Sequence, residues 1–205
     1  MSRGDTRPKR TLARRPLLGQ CRRVPRAPRD SNPGFHHIGV NAAGPAPYFR
    51  DEVDHIDWIR RLVRLLDKYR WKCLAFCQMT THWHALVEVP DRSLSTGMHW
   101  LNSEYSKAFN DRHGRVGYLV RDRFWARRKD DEESLFEAYR YVVNNPVRAG
   151  AVARPEDWPW SSYATTIGAR DAFPFVDATP VLRHLGPDEL AARRALRELV
   201  NRAGG

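Results

Sequence analysis

Residues 81–89 read Thr-His-Trp-His-Ala-Leu-Val-Glu-Val, and no other stretch constrains the fold as tightly. Its β-branched and aromatic content suits a strand, in which successive side chains point to opposite faces. Trp83, Ala85, Val87 and Val89 then share one face, and His82, His84, Leu86 and Glu88 the other. The first face is apolar along its length, so helices have to cover it. The second, barer face presents two imidazoles about 7 Å apart along the strand. Two neutral imidazoles so placed can converge on one divalent cation, leaving positions for a third ligand and for substrate oxygens. By itself, His-x-His fits a metal site or two polar residues on a solvated strand face.

The flanking patterns supply the rest of a domain. Phe35–Val40 and Trp71–Met79 read as strands, and residues 41–47 as a Gly/Pro loop. Apolar residues at helical spacing predict helices over 51–69 and 94–112. Gly114 and Gly117 flank a turn, after which 118–128 reads as an arginine-rich strand. A third helix is expected over 131–145, stopped by Pro146, and a last one over 187–202. Residues 158–163 read as an aromatic loop or 3₁₀ turn. The order β-α-β-β-α-β-α predicts an α+β fold with one mixed or antiparallel sheet and helices packed on it. Cys73 and Cys77 are placed with Trp71, Ala75 and Met79 on one strand face, as core rather than as a zinc site. His36 and His37 lie on the first strand, one of them toward the core, and neither is assigned as a ligand.

Charge points to the partner. The 205 residues hold 35 Lys and Arg against 24 Asp and Glu, a net +11. Residues 1–30 carry +8 of this, and the five prolines among residues 1–33 leave no hydrophobic period there. Residues 1–33 therefore read as a basic, disordered arm, and a polyanion, most simply nucleic acid, as its partner. No run of eighteen apolar residues suggests a membrane span, and no apolar stretch after the basic start suggests a secretory signal. Three cysteines fit a reducing cytoplasm better than a disulfide framework.

On a wheel at 100° per residue, Leu135, Tyr139, Val142 and Val143 form the buried stripe of the third helix. Tyr141 falls on the polar side with Ser134, Glu137 and Asn145. A tyrosine facing outward, with an amide one turn on, suits a nucleophile beside a metal ligand. An ordinary surface tyrosine produces the same wheel.

His82-Trp83-His84 resembles the HUH motif, two histidines around a hydrophobic residue. The string Tyr141-Val142-Val143-Asn144-Asn145-Pro146-Val147-Arg148-Ala149-Gly150, followed by Pro159-Trp160-Ser161-Ser162-Tyr163, resembles REP-associated tyrosine transposases of the single-tyrosine HUH class. The resemblance spans about residues 34–200. It implies an antiparallel central sheet with helices on one face, of the ferredoxin-like HUH type. It also implies cleavage of single-stranded DNA with hairpin ends through a 5′-phosphotyrosine, a monomer or homodimer, and a cytoplasmic, nucleoid-associated place. Residues 34–170 would be the catalytic domain and 171–205 a C-terminal helical extension. Carried over, Tyr141 is the nucleophile, and His82, His84 and Asn145 are ligands of Mg²⁺ or Mn²⁺. Two positions depart from the family pattern. Thr80-Thr81 stands where many relatives carry Pro-Asn, and Asn-Ala-Ala-Gly-Pro-Ala replaces an Arg-Gly turn at 41–46.

Arg121, Arg123, Arg127, Arg128 and Lys129, interleaved with Phe124 and Trp125, are candidate DNA contacts, and Arg148 a candidate phosphate ligand. Three readings follow: a DNA strand transferase using Tyr141, a hairpin-binding protein without chemistry, and a metal-dependent hydrolase with a water nucleophile.

Overall fold

The computed structural model describes residues 32–44 and 47–202. The expected basic arm lies, but for its last two residues, outside the described residues. Four strands, β1 (Gly34–Asn41), β2 (Lys72–Gln78), β3 (His82–Val89) and β4 (Trp125–Lys129), form one sheet in the order β2-β3-β1-β4. Every pairing is antiparallel. The α+β class and the antiparallel sheet agree with the sequence reading.

Helix α1 (Glu52–Tyr69) starts where Asp51, in an extended conformation, accepts from the Asp54 N–H. That bond satisfies one of the donors a helix start leaves open. Helix α2 (Leu94–His113) ends at Gly114 in the left-handed conformation. Both helices cover the apolar face of β3. Trp58, Leu62 and Leu65 of α1 and Met98, Leu101 and Tyr105 of α2 pack with Trp83, Ala85 and Val87.

The expectation of helices on one face is corrected by a second core. Helix α3 (Glu132–Val143) lies on the opposite face, chiefly against β2 and β3. Its Leu135, Tyr139, Val142 and Val143 pack with Leu74, Ala75, Cys77 and Leu86, joined by Leu196 and Val200 of helix α7 (Glu189–Asn201). The physical reason lies in β2. A bulge between Cys73 and Ala75 shifts the register. Cys73 therefore packs in the first core and Cys77 in the second, rather than on one face as expected. The bulge makes the β2 half of the histidine face apolar, and α3 packs chiefly on that half. Two four-residue helices, α5 (Tyr163–Thr166) and α6 (Thr179–Leu182), add Tyr163 and Val181 to the same core.

Two boundaries differ from expectation. The strand expected over 118–128 is only β4, because β1 has ladder partners for Trp125–Lys129 and no further. Before it, Phe124 turns into the first core and Val120 makes a lone bridge to Ala42. Pro146 does not end the helical path. Asn144 caps α3, and a short turn, α4 (Asn145–Arg148), takes Pro146 near its start, where no N–H is needed. Among the described residues no helix is long and apolar enough to cross a membrane.

Candidate active site

Where α3 stops short, the β1–β4 half of the sheet stays open as a cleft of about 580 Å³. Its floor is built by register. Gly39 stands opposite His84 and Asn41 opposite His82 across β1–β3, while Trp125 stands opposite Gly39 and Arg127 opposite His37 across β1–β4. Alternation thus sends His37, His82, His84, Trp125, Arg127 and Lys129 into one hollow. Its wall is α3, which buries Tyr139 completely and leaves Tyr141 39% exposed.

The Tyr141 ring centroid lies 5.3 Å from that of His84 and 5.4 Å from that of His37. The His82 and His84 rings are 5.1 Å apart. Asn145 is buried, and its Oδ1 lies 3.1 Å from His82 Nε2. An amide oxygen only accepts, so without an ion Nε2–H donates to it and Nδ1 accepts from the Thr81 hydroxyl at 3.2 Å; to ligate a cation through Nε2, the ring moves its proton to Nδ1, which then donates to the Thr81 oxygen. The Arg148 guanidinium sits 5.0 Å from the Tyr141 ring centroid, a cation–π contact.

Burial pushes the His84 imidazole down to about 3, helped by the charges of His37 and His82. Burial also lowers His37, to about 4, with Lys129 and Arg127 adding to it. Both are neutral at physiological pH and keep a lone pair. His84 Nδ1 and His37 Nε2 are buried without a hydrogen-bond partner.

This donor set suits a divalent cation in part. Ligands at 2.0–2.1 Å around an octahedral ion stand about 3 Å from their neighbours, close to the separation of His82 Nε2 and Asn145 Oδ1. Among the described residues no three His, Cys, Asp or Glu side chains form a metal-holding group. A cation here needs the Asn145 amide and phosphate oxygens to complete its shell.

Seven of the ten residues singled out from sequence come together: His82, His84, Tyr141, Asn145, Arg127, Lys129 and Arg148. Three do not line the cleft. Arg128 alternates to the other face and pairs with Asp130 at 2.8 Å. Arg121 and Arg123 lie in the irregular stretch before β4, Arg121 at 3.4 Å from Asp122. Glu88, on the same strand face as the histidines, pairs with Lys72 at 3.7 Å. His37, one of the two β1 histidines that the sequence reading assigns no role, also lines the cleft. With Ile38 and Val40 committed to the core, period-two alternation already places it beside His84. A second hollow of about 500 Å³, between α1 and residues 172–175, is lined by Ile56, Ile59, Val63 and Phe173 and holds no histidine or carboxylate.

A protein-family model of IS200-like transposases matches residues 46–130, which include His82 and His84. A protein of Haemophilus influenzae named as a REP-associated tyrosine transposase is 25% identical over 129 residues, 57% of this chain and 73% of that protein. The chain resembles the REP-associated tyrosine transposases. The fold agrees as well. A solved REP-associated tyrosine transposase, bound to a REP hairpin, superposes with a TM-score of 0.57 at 18% identity, covering 73% of this chain and 88% of that one. The antiparallel sheet and its helices thus share the fold of that protein, and α3 supplies the tyrosine wall of the cleft.

Proposed function

We propose that the protein is a metal-dependent single-strand DNA endonuclease and strand transferase. It acts on DNA with hairpin ends, in the cytoplasm at the nucleoid. The observation that supports this is one juxtaposition: an accessible tyrosine, 5.3 Å from a buried neutral imidazole, in a cleft edged by Arg127 and Lys129. His82, His84 and Asn145 are the residues to hold Mg²⁺ or Mn²⁺. When bound, such an ion polarises a phosphate oxygen and disperses developing charge.

The chain's own residues position the reaction. Lys129 and Arg127 draw the phosphodiester into the cleft and offset its charge. The packed Tyr139 face of α3 fixes the helix, so Tyr141 is presented from a rigid element. Its phenolic oxygen bonds to phosphorus as the bond to the 3′ oxygen breaks. The phenolic proton leaves to water, and the departing 3′ oxygen takes one up. The products are a 5′-phosphotyrosine and a free 3′-OH. The phosphoester bond is kept in the covalent link, so attack by a 3′-OH rejoins the strand without a nucleotide cofactor.

The test is incubation with labelled hairpin-bearing single-stranded DNA and Mn²⁺ or Mg²⁺, followed by denaturing electrophoresis. A protein–DNA adduct is expected, and EDTA should abolish it. Tyr141→Phe removes one accessible oxygen and leaves the ring against Arg148, so folding and binding should persist without adduct. Tyr139→Phe, two positions away and buried, should form adduct normally. Cleavage by Tyr141→Phe would mean a water nucleophile. Binding without cleavage by the parent would mean a hairpin-binding protein without chemistry.

A further inference from the structure

Between α2 and β4 the chain makes a projecting segment, residues 114–124, whose side chains divide sharply. Leu119 and Phe124 are buried in the first core, whereas Val116 is 100% and Tyr118 89% exposed. A large aromatic that gains so little from its own fold is held in place all the same. Gly114 and Gly117, at φ 58° and 105°, take backbone conformations other residues adopt only with strain. The Asn110 side-chain amide donates to the Gly117 carbonyl at 2.9 Å. One residue past Tyr118, the Leu119 carbonyl accepts from the Ala43 N–H at 2.8 Å, and the Arg121 N–H donates to the Asn41 carbonyl at 3.1 Å.

These last bonds fix where the segment stands. Asn41 lines the cleft and pairs with His82. The chain leaves Tyr118, touches the cleft at Asn41, and re-enters it at Trp125. Three residues of chain reach at most about 11 Å, so Tyr118 stands within that distance of Arg121, whose N–H is bonded to Asn41. The segment holds Arg115, Arg121 and Arg123 against Asp122 alone. Arg115 is turned back over the Phe109 ring, which leaves Arg121 and Arg123 at the exposed surface, Arg121 partly offset by Asp122. A projecting aromatic beside exposed guanidinium groups, continuous with a basic cleft, complements an unpaired nucleobase and its phosphates. Stacking on a π-face is tolerant of base identity, and arginine supplies the charge.

We propose that residues 114–124 are a base-stacking platform for single-stranded DNA next to the cleft, with Tyr118 as its anchor. Tyr118 stacks on one unpaired base while Arg121 and Arg123 face the adjoining phosphates. This rests on the reading of the cleft as a DNA site.

The experiment measures binding by fluorescence anisotropy, using a hairpin oligonucleotide with a single-stranded 5′ extension of randomised sequence. A fully double-stranded oligonucleotide of equal length serves as the comparison. Tyr118→Ala should weaken the first by about 5- to 150-fold and leave the second unchanged. Tyr118→Trp should bind like the parent. Tyr118→Leu, apolar but without a π-face, should behave like the alanine variant. Because the side chain is exposed, all three should melt with the parent. Parent affinity in Tyr118→Ala overturns the platform, as does recovery by leucine. Loss of a dimer in Tyr118→Ala with DNA affinity intact would make the segment an interface between copies, which also overturns it. If the parent binds and the Tyr118 effect appears but no adduct forms, the platform stands and the proposed chemistry falls. If the parent does not bind the single-stranded probe, both fall.

Discussion

Gly39 and Trp125 face each other across the β1–β4 ladder, and the indole fills the space a side chain at position 39 would take. A Cβ on Gly39 would stand 2.5 Å from Trp125 Cζ2, 2.7 Å from Cε2 and 2.9 Å from Nε1. Carbon contacts are favourable at about 3.5–4.0 Å, so in Gly39→Ala the ring has to retreat by about 1 Å. It is held by an edge contact to His37 at 4.7 Å and lies 5.5 Å from His84, so retreat loosens the floor of the cleft. Overpacking of this kind costs about 1–3 kcal/mol. Alanine offsets roughly 0.5–1 kcal/mol by restricting the unfolded chain. The net loss is about 1 kcal/mol at the centre of these ranges and at most about 2.5, and about 1 kcal/mol lowers the melting temperature of a chain this size by about 2–4 °C. The assay is a thermal and urea unfolding cycle with Trp125→Ala. In the absence of the indole the same Gly39→Ala change should be neutral or slightly stabilising. Adduct formation should fall in Gly39→Ala at a temperature where the protein remains folded. Equal costs in both backgrounds, or a parent melting temperature in Gly39→Ala, would refute the steric account and remove Trp125 as a determinant of the site.

Two further changes test the frame and the ligand set. Asn145→Ala leaves His82 Nε2 without its partner at 3.1 Å, so adduct formation should need more Mn²⁺ while DNA affinity in EDTA is unchanged; an unaltered metal dependence would exclude the amide from the set. Asp51→Ala removes the α1 cap and should cost about 0.5–2 kcal/mol, read by urea unfolding. The Arg112 guanidinium, donating to both Asp51 oxygens at 2.8 Å, holds that carboxyl down to about 2. A depressed carboxyl stabilises above its unfolded pKa near 3.9. The contribution is therefore present at neutral pH and fades as pH falls from about 4 toward 2. Parent and variant should converge in stability over that window, and a constant gap would remove the ion pair from the account.

Much of this was legible because it is local. Alternation along residues 81–89 assigns Trp83 to the core and the two histidines to the other face from side-chain chemistry alone. The wheel likewise separates Tyr139 from Tyr141, because four apolar residues fix the buried direction of a twelve-residue helix. The misreadings arise where a pairing partner decides. The bulge at Cys73–Ala75 leaves no mark in an apolar strand that is buried on both faces, and only the register against β3 reveals it. The extent of β4 depends on where its ladder to β1 stops, at Gly39 opposite Trp125, two residues before β1 itself ends, so alternation within residues 118–124 carries no information about pairing.

The second-face packing of α3 joins these two kinds of information. His82 and His84 are bound by alternation to the face opposite Trp83, and Tyr141 is bound by the wheel to the side of α3 away from Tyr139. With every helix on the Trp83 face, the sheet would separate the tyrosine from the histidines. They meet because Leu74, Ala75, Cys77 and Leu86 make half of the histidine face apolar and draw the Tyr139 stripe onto it. The other half, with His37, Gly39, Arg127 and Lys129, offers α3 apolar surface only at Phe35 and Trp125 and stays open between them. One strip of sheet is covered and the next is not, and the boundary between them is where Tyr141 stands 5.3 Å from His84.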